Sequence, residues 1–386
     1  MQIIFNDNGL HKSLAPFTLT RPVAEIRFGI MTIRESWEYY FDAYNVDYET
    51  AYLTEAYLYA KFKEGIPNDE SITIAGNYKA SPELVEAVLN LKKGEALYSH
   101  SDKIAQKGCI EEKTINLAIE YTCLIEKPWH IFERNSQASI KDFQVITKNR
   151  TSQPLNASNR TTNPENIFIE EGAKVEHAIL NASTGPIYIG KNAEVMEGAI
   201  IRGPFALCEK AVVKMGAKIY GATTIGPECK VGGEVSNCIF QSYSNKGHDG
   251  FLGNSVIGEW CNIGADSNSS NLKNNYSNVK VYSYETNQIE STDILFCGLL
   301  MGDHSKTGIN TMFNTATVVG VSANIFGAGF PPKYIPSFTW GGVEKTAKFN
   351  KDKAFQVAEN MMQRRGKNLT EGDKEILTYL FDRLAQ

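Results

Sequence analysis

The sequence lacks most of the features that would place it in a specialised class. No apolar run reaches the roughly 18 residues that a membrane span needs. Positive charge is in slight deficit, 39 Lys and Arg against 44 Asp and Glu. The basic surplus of a nucleic-acid binder is therefore absent, and no such partner is expected. The opening MQIIFNDNGLHKS has no charged segment running into an apolar one, so neither a signal peptide nor membrane association is expected. The seven cysteines, at 109, 123, 208, 229, 238, 261 and 297, are odd in number and include no CxxC pair. That argues against a disulfide framework or a zinc ribbon and predicts reduced thiols in a cytoplasmic protein. What is present, 386 residues with 42% hydrophobic and 22% charged, predicts two or three packed domains at about 150 residues each.

The first part of the chain alternates strand-like and helix-like text. Met1–Phe5 and Ser71–Ala75 read as strands, Met31–Phe41 and Pro82–Leu91 as helices, the second with Ser81 as N-cap and Pro82 in its first turn. This predicts an α/β domain over 1–145. Residues 146–165 are polar and Asn-rich, without apolar period, and read as a linker. The tail, 343–386, carries two helical patterns: Phe355, Ala358, Met361 and Met362 on one face, and Ile376, Leu377, Leu380 and Leu384 on another. Both methionines read as packing residues.

The centre, 166–342, has a repeat. From Ile189 every sixth residue is aliphatic: Val195, Ile201, Leu207, Val213, Ile219, Ile225, Val231. A small residue mostly follows four positions later, as at Ala193, Ala199, Ala211 and Ala217. The frame fails at Asn237 and returns at Ile257, Ile263, Phe313, Val319 and Ile325. A period of six fits a chain that turns a corner every six residues, so that three flat sides close one coil and coils stack at about 4.8 Å. That is a parallel β-helix. The pattern resembles the left-handed β-helix of hexapeptide-repeat acyltransferases, and the resemblance implies a homotrimer. Ile200, Val212 and Phe205 are expected on coil faces that such assembly would cover.

The repeat is interrupted by Gln241-Ser-Tyr-Ser-Asn-Lys-Gly-His-Asp-Gly-Phe-Leu-Gly253, a Gly-rich polar loop carrying His248 between rigid coils. KGHDGFLGNSVIGEWCNIGADSNSSN is similar to the acetyltransferase half of the bifunctional N-acetylglucosamine-1-phosphate uridyltransferase / glucosamine-1-phosphate N-acetyltransferase family. The resemblance implies His248 as catalytic base, Asn271 as the residue contacting base and substrate, and Gly264 and Ala265 at the acetyl-CoA site. Phe251 stands where the family has a sugar-phosphate-contacting tyrosine, and Leu272 replaces a second tyrosine. Lys246, Lys218 and Lys230 are candidates for the sugar phosphate.

The N-terminal domain carries its own resemblance. Gly9-Leu-His-Lys-Ser-Leu-Ala-Pro-Phe-Thr-Leu-Thr-Arg-Pro-Val23 is similar to the signature of sugar-phosphate nucleotidyltransferases. His11 replaces the second glycine, Ser13 the phosphate-gripping Arg, and Val23 the Lys. Asn77 stands for the magnesium-binding Asp, and an amide is a poor magnesium ligand. Magnesium is thus implied only by the ancestry of this domain, while Arg21, Arg27 and Lys12 remain to hold phosphates.

The expected activity is acetyl transfer from acetyl-CoA to an amino-sugar phosphate, beside a domain of nucleotidyltransferase type whose substrate would be a nucleoside triphosphate. A scaffold or sugar-nucleotide sensor that lost both chemistries is the alternative. A zinc enzyme on the same fold needs a short-spaced histidine pair, and no two of the six histidines lie within eight residues.

Overall fold

The protein is described by a computed structural model covering residues 1–117 and 123–385. Its N-terminal domain is built on a six-stranded sheet in the order Glu49–Leu53, Gln2–Asn6, Ile72–Ala75, Asp102–Lys107, Glu95–Ser99, Lys113–Asn116. The first three strands run parallel, and Asp102–Lys107 is antiparallel to both its neighbours. The first helix is Ile33–Ala43. It starts two residues later than its apolar pattern predicts because Thr32 and Glu35 close a reciprocal capping box there. The second, Pro82–Leu89, begins with the predicted Ser81 cap and ends at Asn90.

Residues 160 onward wind into a parallel β-helix of the left-handed type, with walls of nine, six and five strands. Each hexad aliphatic from Ile189 to Val231 is buried, as are the small residues at the tight corners. The corners explain the repeat. Asn192, Lys210 and Glu228, one per coil, hold positive φ of 56°, 54° and 57°, a conformation that turns the chain sharply at some steric cost. The frame fails at Asn237 because that coil is two residues short: Ile219 stacks on Val235. The later gap is an excursion between Ser269 and Leu300 that carries the antiparallel hairpin Lys280–Ser283/Gln288–Ser291.

The segment read as a linker lies along the first coil. The Gln153 amide accepts from Gly172 and donates to Ala173, and Asn159 bonds Val175 and Ala178. These side chains satisfy backbone groups that an open solenoid end would leave unpaired. Two tail helices follow, Lys351–Gln363 and Glu371–Leu384, capped by Asn350 and Thr370.

The nine-stranded wall is covered by the N-terminal domain, and one apolar cluster runs from Phe5 and Trp37 through Ile239, Val256, Leu300 and Val318. Polar clasps fix the register of this contact. Arg21 pairs with Asp303 and, at 3.3 Å, with Glu259. The Arg27 amide donates to the Gln241 side chain at 2.8 Å, which returns a bond to the Arg27 carbonyl at 3.0 Å. Asn135 bonds Ala222 and Thr224. The trimer expectation needs one correction at this point. Phe205 is not a free surface residue but is 2% exposed, packed in the solenoid core cluster. Ile200 is open, paired in register with exposed Ile179 on the six-stranded wall, and Val212 is half-buried.

Because Asp303 is buried, Arg21→Ala would strand a carboxylate. The expected cost is about 3–5 kcal/mol, read as a lower urea midpoint and as faster amide exchange around residues 20–27.

Candidate functional site

A cavity of about 830 Å³ opens where the helix Lys351–Gln363 ends against the solenoid. His248, Gly264 and Ala265 line it together, so three of the sequence candidates meet in one place. Around them stand Lys214, Lys230, Lys306, Arg364 and Arg365, and no carboxylate is among the lining residues. Burial pushes the Lys230 ammonium down in pKa, and Arg365, Lys214 and Arg364 push it the same way. Burial brings Lys306 down to about 8. Like charges held this close in a partly dry site favour a polyanion that neutralises them. Arg365 anchors the helix end, donating to the Glu228 carbonyl at 2.6 Å and the Asn245 side chain at 2.9 Å. Arg364 is exposed, and its side chain makes no hydrogen bond among the described residues. Sequence reading missed Lys214, Lys306, Arg364 and Arg365. The adjacent arginines at a helix end were visible, but nothing in the sequence tied that helix to this coil.

Lys246 is a correction. It does not face a substrate: it is 1% exposed and occupies an interior hexad position, in register with Val231. Its ammonium donates to the carbonyls of Gly232 at 3.1 Å, His248 at 2.7 Å and Asp249 at 3.3 Å. All three donors are thereby engaged, which leaves none for a phosphate. The lysine instead pins the backbone of the His248 loop. Burial holds its pKa down at about 8.

Asn271 and Phe251 lie outside the cavity lining. The Asn271 amide donates to the Asn254 side chain at 2.8 Å, and both it and the Phe251 ring close over Gly253, where a Cβ would meet them at 2.6 and 2.7 Å. Lys218 is at the surface, 3.6 Å from Glu234. Arg21 is also a correction: it is locked to Asp303 and Glu259, and these carboxylates outweigh burial and raise its pKa. A guanidinium so committed does not hold a substrate phosphate.

The signature loop of the N-terminal domain is closed on itself. Asp7 accepts from the Val23 amide and the Thr54 hydroxyl. His11 is buried, with its Nε2 3.1 Å from the Tyr57 hydroxyl. Asn77 is also buried. Among the described residues no cluster of three or more His, Cys, Asp or Glu could hold a metal. These residues do not fit a magnesium ion, and no step is assigned to one.

The fold and the two halves define a class: a sugar nucleotidyltransferase-type domain joined to a hexapeptide-repeat β-helix. The family described as sugar nucleotidyl transferase matches residues 2–151, and the chain is GlmU-like in architecture. "Bifunctional protein GlmU" of Methanocaldococcus jannaschii is 36% identical over 87 residues, 22% of this chain and 21% of that one. The GlmU of Cyanothece sp. is 21% identical over 199 residues, 46% of this chain and 40% of that one. "Uncharacterized acetyltransferase YaiX" of Escherichia coli O6:K15:H31 is 23% identical over 167 residues, 43% of this chain and 72% of that one. The chain thus spans less than half the length of these GlmU relatives.

Two expectations follow from the geometry. A bound polyanion would raise the lowered pKa of Lys306, so binding should take up protons near pH 8 and weaken as pH rises above it. Calorimetry in buffers of different ionisation enthalpy measures this directly. Lys246→Met leaves three carbonyls without their donor, and should cost at least about 2 kcal/mol in a denaturant titration.

Proposed function

We propose that the protein is an acetyl-CoA-dependent N-acetyltransferase acting on an amino-sugar phosphate. The observation that carries the reading is the juxtaposition of His248 and Ala265 with five cations and no carboxylate in one cavity. Acetyl-CoA is a polyanion with a reactive thioester at the far end from its phosphates, and the cluster of Lys214, Lys230, Lys306, Arg364 and Arg365 complements it in charge. His248 takes a proton from the acceptor amine as the nitrogen attacks the thioester carbonyl. The N–C bond forms, the C–S bond breaks, and the proton passes to the departing CoA sulfur. Gly264 and Ala265 present a wall without bulky side chains along which the donor can lie. Asn271 and Phe251, grouped over Gly253, are assigned to the acceptor side.

The same reading includes a cytoplasmic homotrimer. The wall carrying Ile179, Ile200 and Phe251 exposes apolar surface, with Ile179 41% and Ile200 47% accessible, that a symmetric assembly would cover. Light scattering after size exclusion is expected to give three times the chain mass, and a clean monomer at micromolar concentration removes this part. The N-terminal domain is assigned a binding or structural role with little nucleotidyl transfer, because its signature loop is closed by Asp7, His11 and Tyr57. That closure is also what favours a non-catalytic sensor for this domain alone.

His248→Ala is expected to lower acetyl transfer by about 10²–10⁴-fold, the worth of a positioned base, with folding unchanged because the side chain is exposed. Arg364→Gln should raise KM for acetyl-CoA by about tenfold, as loss of one charge-assisted contact does, and leave kcat nearly unaltered. Full activity in His248→Ala would end the proposal and leave the scaffold reading in place.

A further inference from the structure

The proposed base stands on a backbone that little else restrains. His248 follows Gly247 and is separated from Gly250 by one residue, and glycine leaves a chain its widest choice of φ and ψ. A Cβ at Gly247 would meet nothing within 4 Å, so packing does not restrict that residue either. The imidazole is exposed and has no hydrogen-bond partner among the described residues. A histidine base is commonly oriented by a third group bonded to its ring, and here no such group is present among those residues. The bond that the Lys246 ammonium donates to its carbonyl, at 2.7 Å, is the one hydrogen bond His248 makes among them.

Stacking alone does not call for a lysine at that place. Val175, Val195, Val213 and Val231 lie in register before it, and a fifth valine would continue the column with no charge to bury. The ammonium instead ties the Gly232 carbonyl of the previous coil to the His248 and Asp249 carbonyls of the loop. Holding a carbonyl fixes the plane of its peptide, and so the direction in which the backbone leaves His248. The Asp249 carbonyl has a second donor, the Asp266 amide at 3.0 Å; the His248 carbonyl has none among the described residues. Three carbonyls need three N–H groups, which the charged amine supplies and the neutral amine, with two, does not.

We propose that Lys246 is the positioning residue for His248, and that acyl transfer is lost as this ammonium gives up its proton. The inference rests on the acyl-transfer reading and adds to it a residue that acts through the base and touches no substrate. Burial brings the ammonium down to about 8, against the pull of the Asp249 and Asp266 carboxylates and the Cys238 sulfur. Burial pushes the Cys238 thiol itself up to about 12, so it stays neutral in this range. Below pH 8 the brace is therefore complete. As pH rises through 8, one carbonyl loses its donor and the His248 backbone is released. Lys306 also titrates near 8, but it lines the cavity of the donor, so its titration falls on KM for acetyl-CoA and that of Lys246 on kcat.

The test follows the full chain from about pH 6 to about pH 10 in two ways. One is kcat with acetyl-CoA and glucosamine 1-phosphate both saturating. The other is the NMR signal of the His248 imidazole in ¹³C-histidine-labelled protein, assigned by its loss in His248→Ala. Wild-type kcat is expected to fall about tenfold between pH 7 and pH 9, as one deprotonation near 8 requires. The His248 signal should show, besides the titration of its own ring, a second inflection near pH 8. Lys246→Met should lower kcat at pH 7 by about 10²-fold, the scale of a misplaced catalytic group. It should also abolish the second inflection and leave KM for acetyl-CoA within about twofold. This variant is expected to be less stable, and the wild-type profiles decide the matter without it if it does not fold. The proposal is overturned if wild-type kcat holds level from pH 7 to pH 9, if the second inflection is missing, or if folded Lys246→Met keeps wild-type kcat. A wild type that transfers no acetyl group ends the acyl-transfer reading by itself, and the second inflection then decides whether Lys246 positions His248.

Discussion

Each coil of the solenoid must close on itself and leave its strands one spacing above the last, and everything else in the structure follows from that constraint. Closure fixes one interior side chain per wall, so Val195, Val213 and Val231 stack in register. The next position in that column is Lys246. A lysine there is tolerable only because its three donors meet three carbonyls, and a charge left unpaired inside the stack would cost several kcal/mol. Two of those carbonyls, of His248 and Asp249, belong to the loop that carries the proposed base, and the third, of Gly232, to the coil beneath it. This polar intrusion into the core is therefore what holds the loop of the proposed base in place, and stacking order and site geometry have a common cause.

Two neighbouring cavities are built from the same few elements. The end of one tail helix sends Met361, Arg364 and Arg365 to the cationic cavity and Met362 to a second one of about 320 Å³, where Glu35, Glu259, Asp303 and Asp373 are ion-paired with Arg27, Arg21 and Lys61. On the solenoid, His304 faces one and Lys306 the other, and the Lys306 ammonium bonds the His304 carbonyl at 2.9 Å. Burial lowers both, His304 to about 4 and Lys306 to about 8. The boundary between the cavities is thus a single helix end and a pair of adjacent coil residues, close enough for the packing of one to bear on the other.

The parts of this arrangement that a linear pattern can encode were legible in the sequence. Hexad aliphatics, the Ser81 cap and the tail helices depend on neighbours within a few residues. His248 with Ala265 was legible because they lie on consecutive coils at nearly fixed separation. Phe205 was misplaced because its exposure depends on packing around it and not on hexad position. Lys246 was misread for a related reason: a lysine beside a histidine in a polar loop resembles a ligand, and only the register shows that its position points into the column. Arg364 and Arg365 reach the cavity across more than a hundred residues of chain, a distance that composition and periodicity do not span.

Arg21 joins these threads. It belongs to the Thr18–Pro22 stretch shared with the nucleotidyltransferase signature, yet its partners are Asp303 and Glu259 of the β-helix. A buried guanidinium cannot serve both a carboxylate pair and a triphosphate, since either partner satisfies the charge that the other needs. Thr20 adds a second bond to Asp303, and Ser13 and Lys127 meet Glu285 of the solenoid hairpin at 3.2 and 3.0 Å. Each of these contacts places a carboxylate from the β-helix against the signature loop. Ser13, which stands where the signature has its Arg, and Arg21 both turn to the solenoid, so the loop that would grip phosphates grips the other half of the protein.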